Sequence, residues 1–332
     1  MKHLVTGGGG FVGRYIVERL VGRGDDVSIF CRGSYPEIEE MGVDVIRGNL
    51  KNAEDVSDAV EGHDAVFHVA SKIDMWGRYD DFYEINVEGT EHVIDACLEH
   101  DVSDLIYTSS ASVVFDCDDL EGVDESQPYP DKYLAPYPET KMMAEKRVRG
   151  VNGKNGLKTV ILRPHLIYGP RDESLAPRFI EQGEKGKIPV IGDGDNKVDL
   201  SYVGNVADAH ILALESDEAA GETYFITDDN PVNVWDFLND LFDRLGVPEI
   251  DDQRPYRLVY YFGALNELVY KLLGKYDEEP RITRFLAAEL AKSHYFDISK
   301  AKEELGYEPR VSTEEGVERY VEYYENQYEQ QG

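Results

Sequence analysis

Cysteine is almost missing from this chain: three residues in 332, at positions 31, 97 and 117. They are too few and too widely spaced for a disulfide framework or a zinc-type array, so a reducing compartment and no metal are expected. Positive charge is scarce too, with 34 Lys and Arg against 66 Asp and Glu and a formal charge of -32. A surface of that sign repels nucleic acid and anionic lipid over most of its extent, which excludes polyanion binding as the main role. Two readings of the excess stay open, adaptation to a salty cytoplasm and an ordinary acidic protein; stability that climbs steeply toward molar salt would favour the first. No apolar run has the roughly 20 residues of a membrane span. The opening Met1 to Thr6 gives way to glycine too soon for a signal peptide. A cytoplasmic protein with no membrane span is expected. Internal repeats and low-complexity tracts are lacking as well.

What is present is a long chain of ordinary apolar content, 42% hydrophobic over 332 residues, enough for a sizeable core. Residues 2–6 read as a buried strand followed directly by Gly7-Gly8-Gly9-Gly10-Phe11-Val12-Gly13 and then by a helix to about Arg23. Strand, glycine turn and helix form the context in which a dinucleotide pyrophosphate is held, because glycine lets the backbone approach the anion and the helix start presents free amides. Gly8, Gly10 and Gly13 fit G-x-G-x-x-G, and Gly7, Gly10 and Gly13 after Thr6 fit the longer T-G-x-x-G-x-x-G form. Further strands are expected at 27–31, 44–47, 65–69, 105–108, 158–163 and 222–227, and a single long helix at about 82–100. The fold class is therefore α/β: a Rossmann-type doubly wound parallel sheet with a smaller, mostly helical C-terminal substrate lobe. Residues 1–170, with 199–227 adding back, should form the dinucleotide-binding domain, and 171–198 with 228–332 the substrate-binding lobe.

The end of the second strand usually carries an acid that holds the adenosine ribose of NAD. Here it reads Cys31-Arg32-Gly33-Ser34, and a guanidinium without a carboxylate suits a 2′-phosphate. NADP(H) is favoured, with NAD(H) as the alternative. After the fourth strand, Ala70-Ser71-Lys72 offers small residues to lie against a cofactor.

Chemistry is carried by Tyr137-Pro138-Glu139-Thr140-Lys141. Tyrosine and lysine four apart share a helical face, so the ammonium can sit beside the phenol and lower its pKa. A phenol titrates near ~10, and half-ionising it at neutral pH takes roughly 4 kcal/mol; one cation at ~4 Å supplies that only in a sheltered, protein-like dielectric. Thr108-Ser109-Ser110 adds hydroxyls that can hold a substrate oxygen, and strand ends along one rim of a parallel sheet converge on one cleft.

With Thr6 to Gly13, Ser110, Tyr137 and Lys141 in that order, the chain resembles an extended short-chain dehydrogenase/reductase over nearly its whole length. The stretches 107–115 and 162–171 narrow the resemblance to the 3β-hydroxysteroid dehydrogenase group. Within it the chain is similar to sterol-4α-carboxylate 3-dehydrogenases and, through Met75 to Tyr83, to 2-alkyl-3-oxoalkanoate reductases. The resemblance implies Tyr137 as general acid/base, Lys141 lowering its pKa and holding the nicotinamide ribose, and Ser110 orienting the carbonyl or hydroxyl. It further implies cofactor contacts from Phe11, Val12, Asn49, Leu50, Val69, Ala70, Ser71, Lys72, Asn86, Pro164 and His165. Asn49 stands where an aspartate is more usual near the adenine, and Cys31-Arg32 replaces the ribose acid of the sterol enzymes.

The expected reaction interconverts a secondary alcohol and a ketone on a bulky apolar substrate, a β-hydroxy or β-oxo acid or a 3β-hydroxysteroid. Leu258 to Leu273 is aromatic and apolar; it reads either as a lid or wall over that substrate or as an ordinary core helix. A nucleotide-sugar epimerase or reductase of the same fold, and a non-catalytic NADP(H)-binding sensor, are the rival readings. Pairing of the helices near 82–100 and 138–150 between two subunits would give a homodimer.

Overall fold

The computed structural model describes residues 1–173 and 175–331. Seven strands form one wholly parallel sheet: β1 (Lys2–Thr6), β2 (Asp26–Cys31), β3 (Asp44–Arg47), β4 (Ala65–His68), β5 (Asp104–Thr108), β6 (Lys158–Pro164) and β7 (Thr223–Ile226). Their order is β7-β6-β5-β4-β1-β2-β3, so the direction of winding reverses between β1 and β4, and ligands of such sheets sit at that reversal, beyond the carboxyl ends of the strands.

Each strand is apolar on both sides because both sides are covered. Val5, Ile29, Phe67, Ile106 and Val160 face one cluster, packed under α1 (Phe11–Gly22). Their neighbours Leu4, Phe30, Val66, Leu105 and Ile161 face the other. That second side is covered by α2 (Ala53–Val60), α3 (Gly89–Glu99) and α4 (Pro136–Arg149). The two-residue alternation of a strand sends successive side chains to opposite clusters.

A single long helix was expected at about 82–100, and the structure divides it. A short α-turn, Tyr79–Phe82, runs into a π-turn, Tyr83–Glu88, before α3 begins. The wider turn brings Asn86 into the wall behind the site. Its Oδ1 accepts from the Lys72 amide at 2.7 Å, and its Nδ2 donates to the Lys72 carbonyl and to Thr140 Oγ1, each at 3.0 Å. Local π geometry of this kind gathers at functional sites.

Beyond β6 the chain builds the second layer of the site. Ile167–Tyr168 pairs with Ser201–Tyr202, and α5 (Val203–Glu215) then returns against α1, where Arg19 meets Asp208 at 2.7 Å. A small sheet joins Leu120–Val123, His294–Phe296, Lys197–Val198 and Val232–Asn233. The apolar cluster under α1 continues without interruption into this region, through Phe225, Phe242, Phe285 and Tyr320.

The segment 258–273 is not a core helix. It falls in α6 (Tyr256–Leu272), where only Gly263 and Glu267 are buried, and the helix lies across α7 (Arg284–Glu289). A Cβ on Gly263 would come within 2.8 Å of the Thr283 carbonyl carbon, so glycine is what permits the close crossing. Glu267 secures it through Arg284 at 2.7 Å. At the far end Trp76 donates from Nε1 to the Lys275 carbonyl at 2.9 Å and stacks on Tyr276, tying α6 to the loop after β4. Among the described residues no helix is long and apolar enough to cross a membrane, and no group of three or more His, Cys, Asp or Glu side chains could hold a metal ion.

Candidate active site

One cavity of about 1580 Å³ runs along the carboxyl ends of the strands and out beneath α6. Its inner end is the glycine turn. Gly7 has φ +69°, a left-handed conformation that a Cβ would strain, and a Cβ there would meet the Ala70 Cα at 2.9 Å. At Gly13 a Cβ would lie 2.2 Å from the Gly7 carbonyl oxygen. The N-cap of α1 is Gly10, with no side-chain cap and no acid in the first turn, so its amides remain available to an anion. Thr6 fixes the neighbouring strand end: its Oγ1 accepts from the Val69 and Ala70 amides at 3.2 and 3.3 Å and meets His68 Nδ1 at 2.8 Å. These features fit a dinucleotide pyrophosphate.

The walls of this cavity include Gly7, Gly10, Phe11, Val12, Gly13, Arg32, Asn49, Leu50, Val69, Ala70, Ser71 and Lys72. Ser110, Tyr137, Lys141, Pro164 and His165 line it as well. Asn86 is the exception; it stands behind the wall and orients the Lys72 backbone. Arg47 went unread in the sequence. The parallel register sets it beside Cys31, and its guanidinium donates to Ser34 Oγ at 3.1 Å, so a second cation stands near Arg32.

Ser110 follows the end of β5 in extended backbone, its Oγ 2.9 Å from Ser112 Oγ and accepting from the Ser112 amide at 3.2 Å. Tyr137 occupies the first turn of α4, where Pro136 starts the helix. Burial pushes the Tyr137 phenol up to about 12, against a lowering contribution from hydrogen bonding with Ser110 and a further raising one from Glu289.

The Lys141 ammonium, expected to lower the pKa of the phenol, is buried on the same helix as Tyr137, one turn further along α4. It donates to the Thr108 carbonyl and lies 4.4 Å from the centre of the Tyr107 ring. Spacing by four puts two residues on one helical face, but a long side chain still chooses its own target. Lys141 is itself desolvated, and burial lowers it to about 7 despite the opposing pull of Glu145. Glu145, one turn further along, anchors the site from below. It pairs with Arg163 at 2.6 Å and accepts from Ser109 Oγ at 2.6 Å and Tyr129 Oη at 2.7 Å. His165 is buried in a ring contact with His294, with Nε2 to Nδ1 at 2.6 Å, and burial pushes both imidazoles well below their usual pKa.

Glu289 was also missed. It lies at the end of α7 and lines the cavity; its backbone carbonyl meets His294 Nε2 at 2.8 Å, while its carboxyl has no hydrogen-bond or ion-pair partner among the described residues. Burial raises its carboxyl to about 8 from an ordinary 4.5. The folded chain therefore keeps a proton there, between about pH 4.5 and 8, that the unfolded chain has released, so this group makes stability fall as pH climbs across that window. In Glu289→Gln that decline should flatten, as read by denaturant unfolding at pH values spanning the window. Equal slopes in the two proteins would remove Glu289 as its source.

Outward from Tyr137 the walls become apolar, with Leu175, Phe179, Ile188, Ile191, Leu286 and Leu290, and the lining also includes Lys187, Arg281, Arg254 paired with Asp252 at 2.9 Å, and Arg178 paired with Glu279 at 2.7 Å. Nothing in the sequence pattern marks these as a group, since they come from four separate segments.

Residues 4–255 match the family described as 3-beta hydroxysteroid dehydrogenase/isomerase. The chain is 44% identical to a protein of Shewanella oneidensis named 2-alkyl-3-oxoalkanoate reductase, covering 95% of this chain and 84% of that one. It is 38% identical to the mouse sterol-4-alpha-carboxylate 3-dehydrogenase, decarboxylating, covering 96% and 90%. Among solved structures it superposes on gox2253 with a TM-score of 0.80 at 27% identity over 98% of both chains. It shares its fold with the UDP-glucuronic acid 4-epimerase from Bacillus cereus, solved with NAD, at a TM-score of 0.76, 24% identity and 99% and 100% coverage.

Proposed function

This chain belongs to the 3-beta hydroxysteroid dehydrogenase/isomerase family, and we propose that it interconverts a β-oxo acid and the matching β-hydroxy acid, both with bulky apolar chains, using NADP(H). Membership makes it a nicotinamide-dependent oxidoreductase acting on CH–OH groups. The observation that carries the substrate reading is the continuity of one cavity from the glycine turn, past Ser110 and Tyr137, into an apolar outer chamber whose lining includes Lys187 and Arg281.

When bound, NADP(H) would supply the hydride to the carbonyl carbon in reduction and take it from the carbinol carbon in oxidation. The Tyr137 hydroxyl gives its proton to the carbonyl oxygen in reduction and removes one from the alcohol in oxidation, while Ser110 Oγ holds the same oxygen. Lys141 holds the nicotinamide ribose. Arg32, with Arg47 beside it, recognises the 2′-phosphate. Alkyl chains fill the space among Phe179, Ile188 and Leu286, and Lys187 or Arg281 meets the carboxylate.

Lys187 and Arg281 also suit the diphosphate of a nucleotide sugar, so that rival reading stays in the test. Turnover should be measured with 2-alkyl-3-oxo acids, 3β-hydroxysteroids and UDP-sugars, each with NADPH and NADH. The expected result is turnover of the oxo acid with NADPH, and Arg32→Ala should raise the KM for NADPH by about tenfold, the loss of one charge-assisted phosphate contact. Turnover confined to UDP-sugars would overturn the substrate, and an unchanged KM in Arg32→Ala would overturn the cofactor choice.

A further inference from the structure

Two cavities meet at Glu289. The large one runs from the glycine turn past Ser110 and Tyr137, and a smaller one of about 80 Å³ adjoins it, sharing Leu175, Phe179, Leu286 and Glu289 as wall. The small cavity continues among Val198, Leu200, Phe237 and Leu238. In these apolar surroundings the Glu289 carboxyl has no hydrogen-bond or ion-pair partner among the described residues. Its field reaches the Tyr137 phenol, so it stands near the reacting end of the large cavity.

An ionised carboxylate without a partner is strongly disfavoured in such a place, and burial accordingly raises the group to about 8. What remains at neutral pH is an O–H that no protein group accepts, and an unmet buried donor is itself unfavourable. Such a donor gains most from an anionic oxygen, because a hydrogen bond to a charged acceptor is about twice as strong as one between neutral groups. In a β-oxo or β-hydroxy acid a single carbon separates the carboxylate from the reacting carbon. A substrate oxygen held by Tyr137 and Ser110 therefore brings the carboxylate into the adjoining space.

We propose that Glu289 recognises the substrate's carboxylate, its carboxyl donating a hydrogen bond to one carboxylate oxygen while the other is left to Lys187 or Arg281; this rests on the function proposed above. A cation at the place of Glu289 would pull the Tyr137 phenol down, whereas a protonated acid holds the carboxylate and leaves the phenol a proton donor. Selectivity follows: an esterified substrate lacks the charged acceptor, and once ionised Glu289 repels the acid. Its titration can be isolated from that of its neighbours. Tyr137 and Cys117, held up to about 12, and the Tyr168 and Tyr320 phenols, raised further, stay neutral across the window. His165 and His294 are held well below it, and Arg284 is tied to Glu267 at 2.7 Å. Lys141, lowered to about 7, does titrate nearby, but it serves the ribose and so affects acid and ester alike.

The test compares 3-hydroxydecanoate with its methyl ester, each oxidised with NADP⁺, as the ratio of their kcat/KM values. Both compounds share the reacting atoms, so effects on Tyr137, on the cofactor or on folding cancel in the ratio. In the wild type the acid-to-ester ratio should be level at neutral pH and fall about tenfold per pH unit above about 8. Glu289→Ala should lower the neutral-pH ratio about tenfold or more, the loss of one hydrogen bond to a charged group. Glu289→Gln keeps a donor and cannot ionise, so it should restore most of the ratio and abolish its pH dependence. A wild-type ratio that stays level to about pH 9, an alanine variant with the wild-type ratio, or a glutamine variant with the wild-type pH profile overturns the proposal. If no protein oxidises either compound, the proposed function falls and binding decides the role of Glu289 by itself. Calorimetry of 3-hydroxydecanoate near pH 8, in two buffers of different ionisation enthalpy, should show proton uptake by the wild type that Glu289→Gln lacks. Equal uptake by the two proteins overturns the proposal.

Discussion

Replacing Tyr137 by phenylalanine should lower kcat for ketone reduction by about 10²- to 10⁴-fold, the usual contribution of a positioned proton donor, with affinity for NADPH held within severalfold. The ring stays in its place in the first turn of α4 and only the hydroxyl goes, so binding titrations and turnover should separate cleanly. The two directions should differ in pH dependence. Burial holds the phenol up to about 12, and with each unit worth about 1.36 kcal/mol, half-ionising it at pH 7 would take about 7 kcal/mol. A cation brought to ~4 Å returns about 4 kcal/mol at an effective dielectric of 20, which does not close the gap, and Lys141 is turned toward Thr108. At neutral pH the group is therefore an acid, ready for reduction, while oxidation should accelerate as pH rises. Equal pH profiles in the two directions, or wild-type turnover in Tyr137→Phe, would sink that assignment.

The second large effect is on stability. Glu145 and Arg163 are buried together, with side-chain exposures of 0% and 2%. Removing the acid strands a guanidinium in the protein interior, since Arg163 also lies 5.3 Å from the Phe225 ring and 5.5 Å from Tyr129, and among the described residues no other carboxylate forms an ion pair with it. Glu145→Ala should cost about 3–5 kcal/mol in denaturant unfolding. Replacing both members with Leu and Met should recover a large part, because two apolar side chains need no desolvation of charge. A single-variant loss below about 1 kcal/mol, or a double variant no better than the single one, would contradict the pairing as the source. The same change frees Ser109, which Glu145 holds, and so loosens the backbone that presents Ser110.

How much of this was legible in the sequence depended on how local the cause was. The strands of the main sheet announce themselves as short apolar runs, and the glycine turn as a local requirement of backbone space at Gly7 and Gly13. Ser110, Tyr137 and Lys141 could be proposed together because parallel strands deliver their carboxyl ends to one rim. The pairing of Leu120–Val123 with His294–Phe296 could not, since the partners lie far apart along the chain and neither segment has a distinctive pattern. Glu289 was hidden for the same reason: in sequence it is one acid among 66, and only the fold shows that it faces a cavity rather than water. Helical spacing placed Lys141 one turn from Tyr137 but could not show that its ammonium meets the Thr108 carbonyl, because spacing fixes where a side chain starts and not which acceptor it finds. Arg47, by contrast, was within reach, since pairing β2 with β3 in parallel brings it alongside Cys31.

The π-turn at Tyr83–Glu88 carries a last consequence, for the editing of this chain. Such a turn is a helix with one residue too many, so shortening it by a single residue would regularise the spiral at no cost in backbone bonding. Everything before the cut would then rotate by about 100° relative to α3, and if the shortened helix kept its seat, Asn86 would swing off the Lys72 backbone. A loss of function that accompanies a gain in helix regularity would identify the surplus residue as one retained for the amide it delivers.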